Sequence, residues 1–515
     1  MPDFFIDSLD DPLLDVGARA FTAVNSAVNP TVIDPGTLRS SRNLYMEGDG
    51  VCRRRPCLVK VIGPGAPAVV SSIWYDTPDM EAMVLCRDGQ LSAYPGDIEG
   101  FVETAIGISG LGEGRVPLAQ LVDLLVVARP EGGLSWARYA GGAWGTGSVS
   151  VDAEGTALPR FSFLCPHAFR MFAAQEGSDI LWTSDVLSAD VPAAWSQLRT
   201  LRIGTGEGDP ITAILPFQEQ GLLVLKEHSV WLLDVTGADP SVWAIRRLTG
   251  LAGCIAGRTA VQLGQDVLFL SRLGVLSLSA LSRSDSVSTA SSVSAPIRAD
   301  FDRINWSIAS DSFAGVWRQH YLLAAHRDTE TSPAHLLAFN TETKTWSGLW
   351  PIATPLSASC ITRMGGRQET MVMTADGAVW RLDPKASTEP LGDGWLEAVG
   401  ETKCFDWDAG HVGKRAMRLE VTMECRSAVD ISVQVRPDQE LPVEVSGVMS
   451  YASSCVLPVT LPIQLDRNRM VRKAWNLRPL LPRPVRDLSV VVRARCRGSF
   501  ALGGVTLSAC AEGVR

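Results

Sequence analysis

From about residue 80 to residue 385 the chain repeats one pattern: a short, nearly unbroken apolar run, a tight turn, then a second run that alternates apolar and polar. MVLCRDGQLSAY (residues 83–94) is the first clear copy. Its Asp88-Gly89 reads as a hairpin turn, because Gly supplies the positive φ that such turns require. Further copies start at residues 124, 170, 222, 267, 321 and 371, about 40 to 54 residues apart. A repeat of that length, with paired strands in each unit, predicts a β-propeller of about seven four-stranded blades. In the copy at 222, Leu222, Leu223, Val224 and Leu225 form an unbroken apolar run. This predicts an inner strand covered on both faces, whereas the alternation of Trp231, Leu233 and Val235 predicts a more peripheral one.

Segments with a helical period are scarce, because Pro, Gly, Ser and Thr break the chain about every ten residues. Residues 9–27 and 297–308 are the short helical candidates. Beyond residue 395 the strands lengthen and alternate with charge: KRAMRLEVTMECR (414–426), DISVQVRP (430–437), DLSVVVRARCRG (487–498) and GGVTLSACA (503–511). Such alternation predicts antiparallel sheets buried on one face, hence a separate β-sandwich-like platform. The chain is therefore read as all-β. Residues 1–62 form an arm with strands that join the platform, 63–395 the propeller and 396–515 the platform.

Composition narrows the function. The 515 residues are 46% hydrophobic and 20% charged, as in a globular protein. Fifty-six acids against 47 bases give a net charge of −9, which argues against a broadly basic nucleic-acid binder. No uncharged apolar run approaches the roughly 18 to 20 residues that span a bilayer, so a soluble chain with no membrane-spanning segment is expected. The first residues, MPDFFIDSLDDPLLD, place acids where a cleaved secretion signal needs a basic region. Eleven cysteines without any CxxC are expected to be reduced, small, buried apolar residues and not zinc ligands.

Candidate chemistry is sparse, and the expectation is of no catalytic residues, no metal and no cofactor. The six histidines (His167, His228, His320, His326, His335 and His411) are scattered, and none belongs to an HExxH pattern. The glycine-rich stretch 204–208 lacks the lysine of a phosphate loop and reads as a connection between blades. Asp10-Asp11 and the Asp406/Asp408 pair read as surface acids rather than the carboxylates of a glycosidase. Trp182, Trp195, Trp231, Trp243, Trp317, Trp346, Trp350 and Trp380 recur near blade ends. They are expected to fill the wedges between blades rather than to stack on sugars. The local charge cluster Arg53-Arg54-Arg55 is either a solvated face or a subunit interface, where guanidinium groups grip a neighbour's carboxylates.

Three segments resemble one known family. SSRNLYMEGDGVCRRRPCLVKV (40–61) carries an R-N-x-Y phrase, a glycine turn and an R-x-R-P phrase, with Cys57 where that family has Gly. FQEQGLLVLKEHSVWLLDVTGADPSVWAIRRLTGLAGCIAGRTAVQLGQDVLFLSRLGVLSL (217–278) and the closing basic and apolar stretch 467–507 follow in the same order. In these the chain resembles the tail nozzle or tail hub proteins of short-tailed bacteriophages, the tail tubular protein B type. The resemblance implies a non-enzymatic virion protein of the phage tail, assembled in the host bacterial cytoplasm. It implies a closed homo-oligomeric ring, a hexamer, below the adaptor and portal-vertex proteins. Genomic DNA would pass through without specific binding, and tail fibres or a needle or spike would attach.

On that reading Arg53, Arg54 and Arg55, with Arg467, Arg469, Arg472 and Lys473, are the candidate subunit or adaptor contacts. The alternatives are a propeller-type tail protein that degrades or binds glycans on the host surface, and a monomeric propeller scaffold.

Overall fold

Each long apolar run of the repeat region is the second strand of its sheet, not the innermost. Gly221–Lys226 carries the Leu222–Leu225 run and pairs on one side with Ile211–Phe217, on the other with Val230–Asp234. A second strand is pressed between the neighbouring blades on both faces, so it is buried along nearly its whole length. The innermost strand borders the central channel and keeps part-exposed positions. The same contrast recurs in the second blade, where Leu124–Ala128 is wholly buried and Leu118–Leu121 alternates.

The computed structural model describes residues 14–97, 100–237, 239–281, 292–364, 367–389, 394–408, 410–425, 429–451 and 470–511. Within these, seven antiparallel sheets follow one another as the blades of a β-propeller. Their innermost strands are Val69–Thr77, Leu118–Leu121, Phe161–His167, Ile211–Phe217, Val261–Leu263, Phe313–Trp317 and Leu356–Met364. The last lies beside the first, which closes the circle. In four blades the innermost strand bulges at its second residue, as between Val69 and Ser71 or Phe161 and Phe163. A bulge bends a strand and adds twist, which turns its start around the channel.

The apolar core is divided into layers between adjacent blades. Ala93 and Leu125 share one layer, Val126 and Met171 the next, Phe172 and Leu222 a third. The recurrent tryptophans lie in these layers: seven of the eight named above are buried and Trp231 is half-buried. Packing, not sugar stacking, accounts for them.

Two further sheets form a sandwich. One runs Met470–Asn476, Lys414–Cys425, Phe500–Ala511, Cys52–Arg54, Leu44–Met46, with Leu14–Ala18 also paired to Phe500–Ala511. The other runs Thr37–Arg42, Leu396–Thr402, Leu488–Cys496, Val429–Pro437, Val443–Tyr451. Leu419, Val421 and Met423 of the first sheet share a core with Ile431, Val433, Val490 and Val492 of the second. Thr37–Arg42 also runs parallel to Thr345–Pro351, the outer strand of the sixth blade, so the sandwich sheet continues into the propeller. Gly348 permits that approach: its φ is +111°, and a Cβ there would stand 2.5 Å from the Ser41 carbonyl oxygen.

Two local expectations are corrected. Of the helical candidate 9–27, the described part contains the strands Leu14–Ala18 and Ala23–Val24, because its apolar residues pair with the sandwich. Residues 57–62, expected with the platform, form the fourth strand of the seventh blade, paired with Val379–Asp383. The propeller is thus closed by a strand that precedes its first blade.

Candidate functional site

The R-N-x-Y and R-x-R-P phrases fold against each other where the sandwich meets the propeller. Asn43 lies between the strands Thr37–Arg42 and Leu44–Met46 with φ +55°, a left-handed conformation that Asn tolerates better than most residues. Its side-chain amide donates to the Glu397 carbonyl at 2.7 Å, and its backbone N–H to the Leu349 carbonyl at 2.9 Å. Asn43 therefore touches both units. Tyr45, two residues on, packs edge-on against Trp317 with ring centroids 5.2 Å apart, inside the sixth blade's outer layer. Trp350 donates its indole N–H to the Leu44 carbonyl at 2.8 Å.

The arginine run has three separate fates. Arg53 is part-exposed and pairs with Asp49 and Glu47, and Glu47 also takes Arg318 at 3.0 Å. Arg54 is buried and donates to the Ala386 carbonyl and to Cys57 Sγ, both at 2.8 Å. Arg55 is buried beside Glu389, with Nη1 to Oε2 at 3.2 Å and both side chains under 5% exposed. The same carboxylate oxygen accepts the Leu58 N–H at 3.2 Å, at the start of the closing strand. Burial draws the Arg55 guanidinium below its usual range, and the Glu389 charge opposes that shift. Arg54 and Arg55 therefore satisfy partners within their own chain and are not a surface for a neighbour. The expected contact is corrected at these two positions and stays geometrically open only at Arg53.

Cys57, at the position where the resembled pattern has Gly, is fully buried and lies outside the left-handed region. Nothing in its backbone demands Gly. Burial raises its thiol pKa, and the sulfur serves as acceptor for Arg54.

The basic closing segment is divided. Arg467 and Arg469 lie outside the described residues. Arg472 and Lys473 are exposed on Met470–Asn476, which among the described residues is an edge strand of the sandwich; Arg472 pairs with Glu420 at 2.8 Å. Lys414–Cys425 and Phe500–Ala511 separate this edge from Cys52–Arg54 in the same sheet, so the two basic groups are not brought together. A cavity of about 220 Å³ opens beside the arginine turn, between Tyr45, Arg53, Arg54, Glu424 and Phe500.

The residues that complete this junction, Asn43 and Glu389, were not singled out in the sequence. Asn43 had a signal, since it stands in the quoted phrase; Glu389 lies 334 residues from Arg55 and had none. Asp406 accepts the Asp408 N–H at 3.3 Å, so that pair forms a local turn; Asp10-Asp11 lies outside the described residues. Among the described residues no group of three or more His, Cys, Asp or Glu is placed to hold a metal ion, and no helix is long and apolar enough to cross a membrane.

No protein family matches this chain, and no curated protein matches it. Among solved structures it is similar to a chain in the crystal structure of the mitotic checkpoint complex, with a TM-score of 0.40, 10% identity, and coverage of 63% of this chain and 93% of that one. It is also similar to dihydro-heme d1 dehydrogenase NirN, with a TM-score of 0.37, 12% identity, and coverage of 67% of this chain and 65% of that one.

Proposed function

We propose that this chain is a non-enzymatic structural subunit of a short-tailed bacteriophage tail. It forms a closed ring of six below the adaptor, around the path by which the genome leaves. The observation that carries the reading is the collinear resemblance of residues 40–61, 217–278 and 467–507 to tail nozzle and hub proteins. The contacts of the first of these segments support a mechanical role. Its two phrases join sandwich to propeller through Asn43, Arg55 and Glu389, as a load-transmitting subunit requires.

Other features support the same reading. A ring needs side-to-side contacts that close, and the exposed edge strand with Arg472 and Lys473 offers one half of such a contact. A net charge of −9 repels a passing polyanion, so DNA slides by without being held. Nine of the described cysteines are unbridged and eight of these are buried, which suits assembly in a reducing bacterial cytoplasm. The genome is retained while the ring is closed at its lower end, and is released when contact with the host is transmitted from the propeller to the sandwich.

The test is the composition of purified virions by mass spectrometry, with a labelled copy of the chain located by electron microscopy. The expected result is the chain in stoichiometric amount at the tail. Its absence from the particles overturns the reading. A glycan-cleaving activity of the purified chain favours the host-surface alternative instead.

A further inference from the structure

The propeller channel is basic at the end where its innermost strands begin, although the chain is acidic. A cavity of about 230 Å³ there is lined by residues from several blades, among them Ser72, Arg115, Phe163, Arg258, Phe313 and Ser359, and by no carboxylate. Arg115 precedes the innermost strand of the second blade, and its guanidinium lies over the Phe163 ring at 4.5 Å. Arg258 belongs to a short 3-10 helix, Gly257–Thr259, ahead of the fifth blade's innermost strand; it faces the Phe313 ring at 5.6 Å. Its Nη2 donates to the Asp311 carbonyl at 2.6 Å. Gly257 makes this arrangement possible, because a Cβ there would stand 2.3 Å from Phe163 Cζ. An adjoining cavity of about 250 Å³ shares Arg115 and adds Arg129, Arg160 and Glu176.

Arg115 is the unusual group. It is open to water inside the channel yet walled by protein, and among the described residues it has no hydrogen-bond or ion-pair partner. Burial first, and Arg258 second, draw its pKa down to about 9, with Asp311 opposing them. It remains charged at neutral pH. Two guanidinium groups that face one cavity without a lining carboxylate repel each other. The two aromatic faces hold the guanidinium planes, which leaves the N–H edges of Arg115, and those of Arg258 not turned to Asp311, available as forks for oxygen pairs.

We propose that this end of the propeller channel binds a small oxyanion, a phosphate or carboxylate group, gripped between Arg115 and Arg258. A space of about 230 Å³ admits such a group with a few waters.

The test is thermal unfolding of the full chain in chloride buffer at fixed ionic strength, titrated in parallel with inorganic phosphate, glucose 6-phosphate and succinate. A specific ligand raises the midpoint in proportion to the logarithm of its concentration once the site fills. The expected result is saturable stabilisation by at least one of the three. Phosphate without glucose 6-phosphate assigns a free anion, both together assign a phosphoryl group of a larger molecule, and succinate alone assigns a carboxylate; each supports the site.

Arg115→Met is expected to weaken binding at least tenfold while raising the anion-free midpoint, because its repulsion with Arg258 has been removed. A structural arginine would lower that midpoint. Arg115→Lys keeps the charge without the fork and gives a second reading of the same loss if the Met variant fails to fold. No saturable effect with any of the three anions, or an effect unchanged in both Arg115→Lys and Arg258→Met, overturns the proposal.

Discussion

Asn43 and Arg55 hold each other twice. The Arg55 Nε–H donates to Asn43 Oδ1 at 2.7 Å, and the Arg55 backbone N–H donates to the Asn43 carbonyl at 2.8 Å. The second contact fixes where the chain leaves the sandwich. The first aims the guanidinium at Glu389 in the segment after the seventh blade. Arg55→Met strands the Glu389 carboxylate in a buried site, at a cost of about 3 to 5 kcal/mol. Adding Glu389→Met is expected to recover part of this, not all, since the Leu58 N–H then loses its acceptor. Urea unfolding of the double-mutant cycle measures both terms.

Trp350 is fully buried, and its indole N–H reaches the Leu44 carbonyl. Trp350→Phe keeps most of the packing but leaves that carbonyl unpaired, which costs about 1 to 3 kcal/mol. Trp350→Ala also opens a cavity, and the expected loss is about 3 to 5 kcal/mol. The order of the two variants in chemical denaturation checks that the tryptophan acts through both contact and hydrogen bond.

Stability is expected to fall as the solution is acidified below about pH 6.5. His320 and His335 are buried and neutral, with pKa values pushed down to about 4 and about 3. Burial is the main cause in both; nearby arginines add to it, Arg318 for His320 and Arg327 and Arg303 for His335. In the unfolded chain both titrate near 6.5, so between the folded and unfolded values the unfolded state binds more protons, and stability rises with pH. Their contribution is complete above the unfolded value and disappears as pH falls through the folded ones. His320 and His335 account for on the order of 3 and 5 kcal/mol across that range. His320→Phe, among Tyr45, Trp317 and Trp350, is expected to flatten the dependence; unfolding midpoints between pH 4 and 7.5 measure it.

The edge strand Met470–Asn476 separates assembly from folding. Arg472→Glu together with Lys473→Glu alters exposed side chains, and the isolated subunit is expected to keep its stability within about 0.5 kcal/mol per site. If this edge closes the ring, the same variant loses oligomer formation in native mass spectrometry with the adaptor present. A variant that assembles like the parent removes this edge from the proposed contact.

Much of the propeller was visible in local patterning. The second strands are pressed between blades, so their unbroken apolar runs marked each unit even though the strands were placed one position too far inward. The hairpin at Asp88-Gly89 was legible because φ +47° and +67° are required there. The pairing of Cys57–Ile62 with Val379–Asp383 was not, since periodicity reports which face is buried and not which distant edge is met. The fate of the arginines was hidden for the same reason. Arg53, Arg54 and Arg55 are alike in sequence, and only Glu389 and the Ala386 carbonyl, contributed from far along the chain, distinguish surface from interior.

That closing strand also sets a timetable. Leu58 and Glu389 are 331 residues apart, and at 5 to 20 residues per second the interval between their synthesis is roughly 15 to 70 s. Throughout it, residues 57–62 wait with an open edge while six blades are made, and Leu58, later fully buried, stays uncovered. An escort that shields this segment during translation would therefore raise the yield of folded chain more than one that acts after release. The circle of blades is finished by a piece made before any of them.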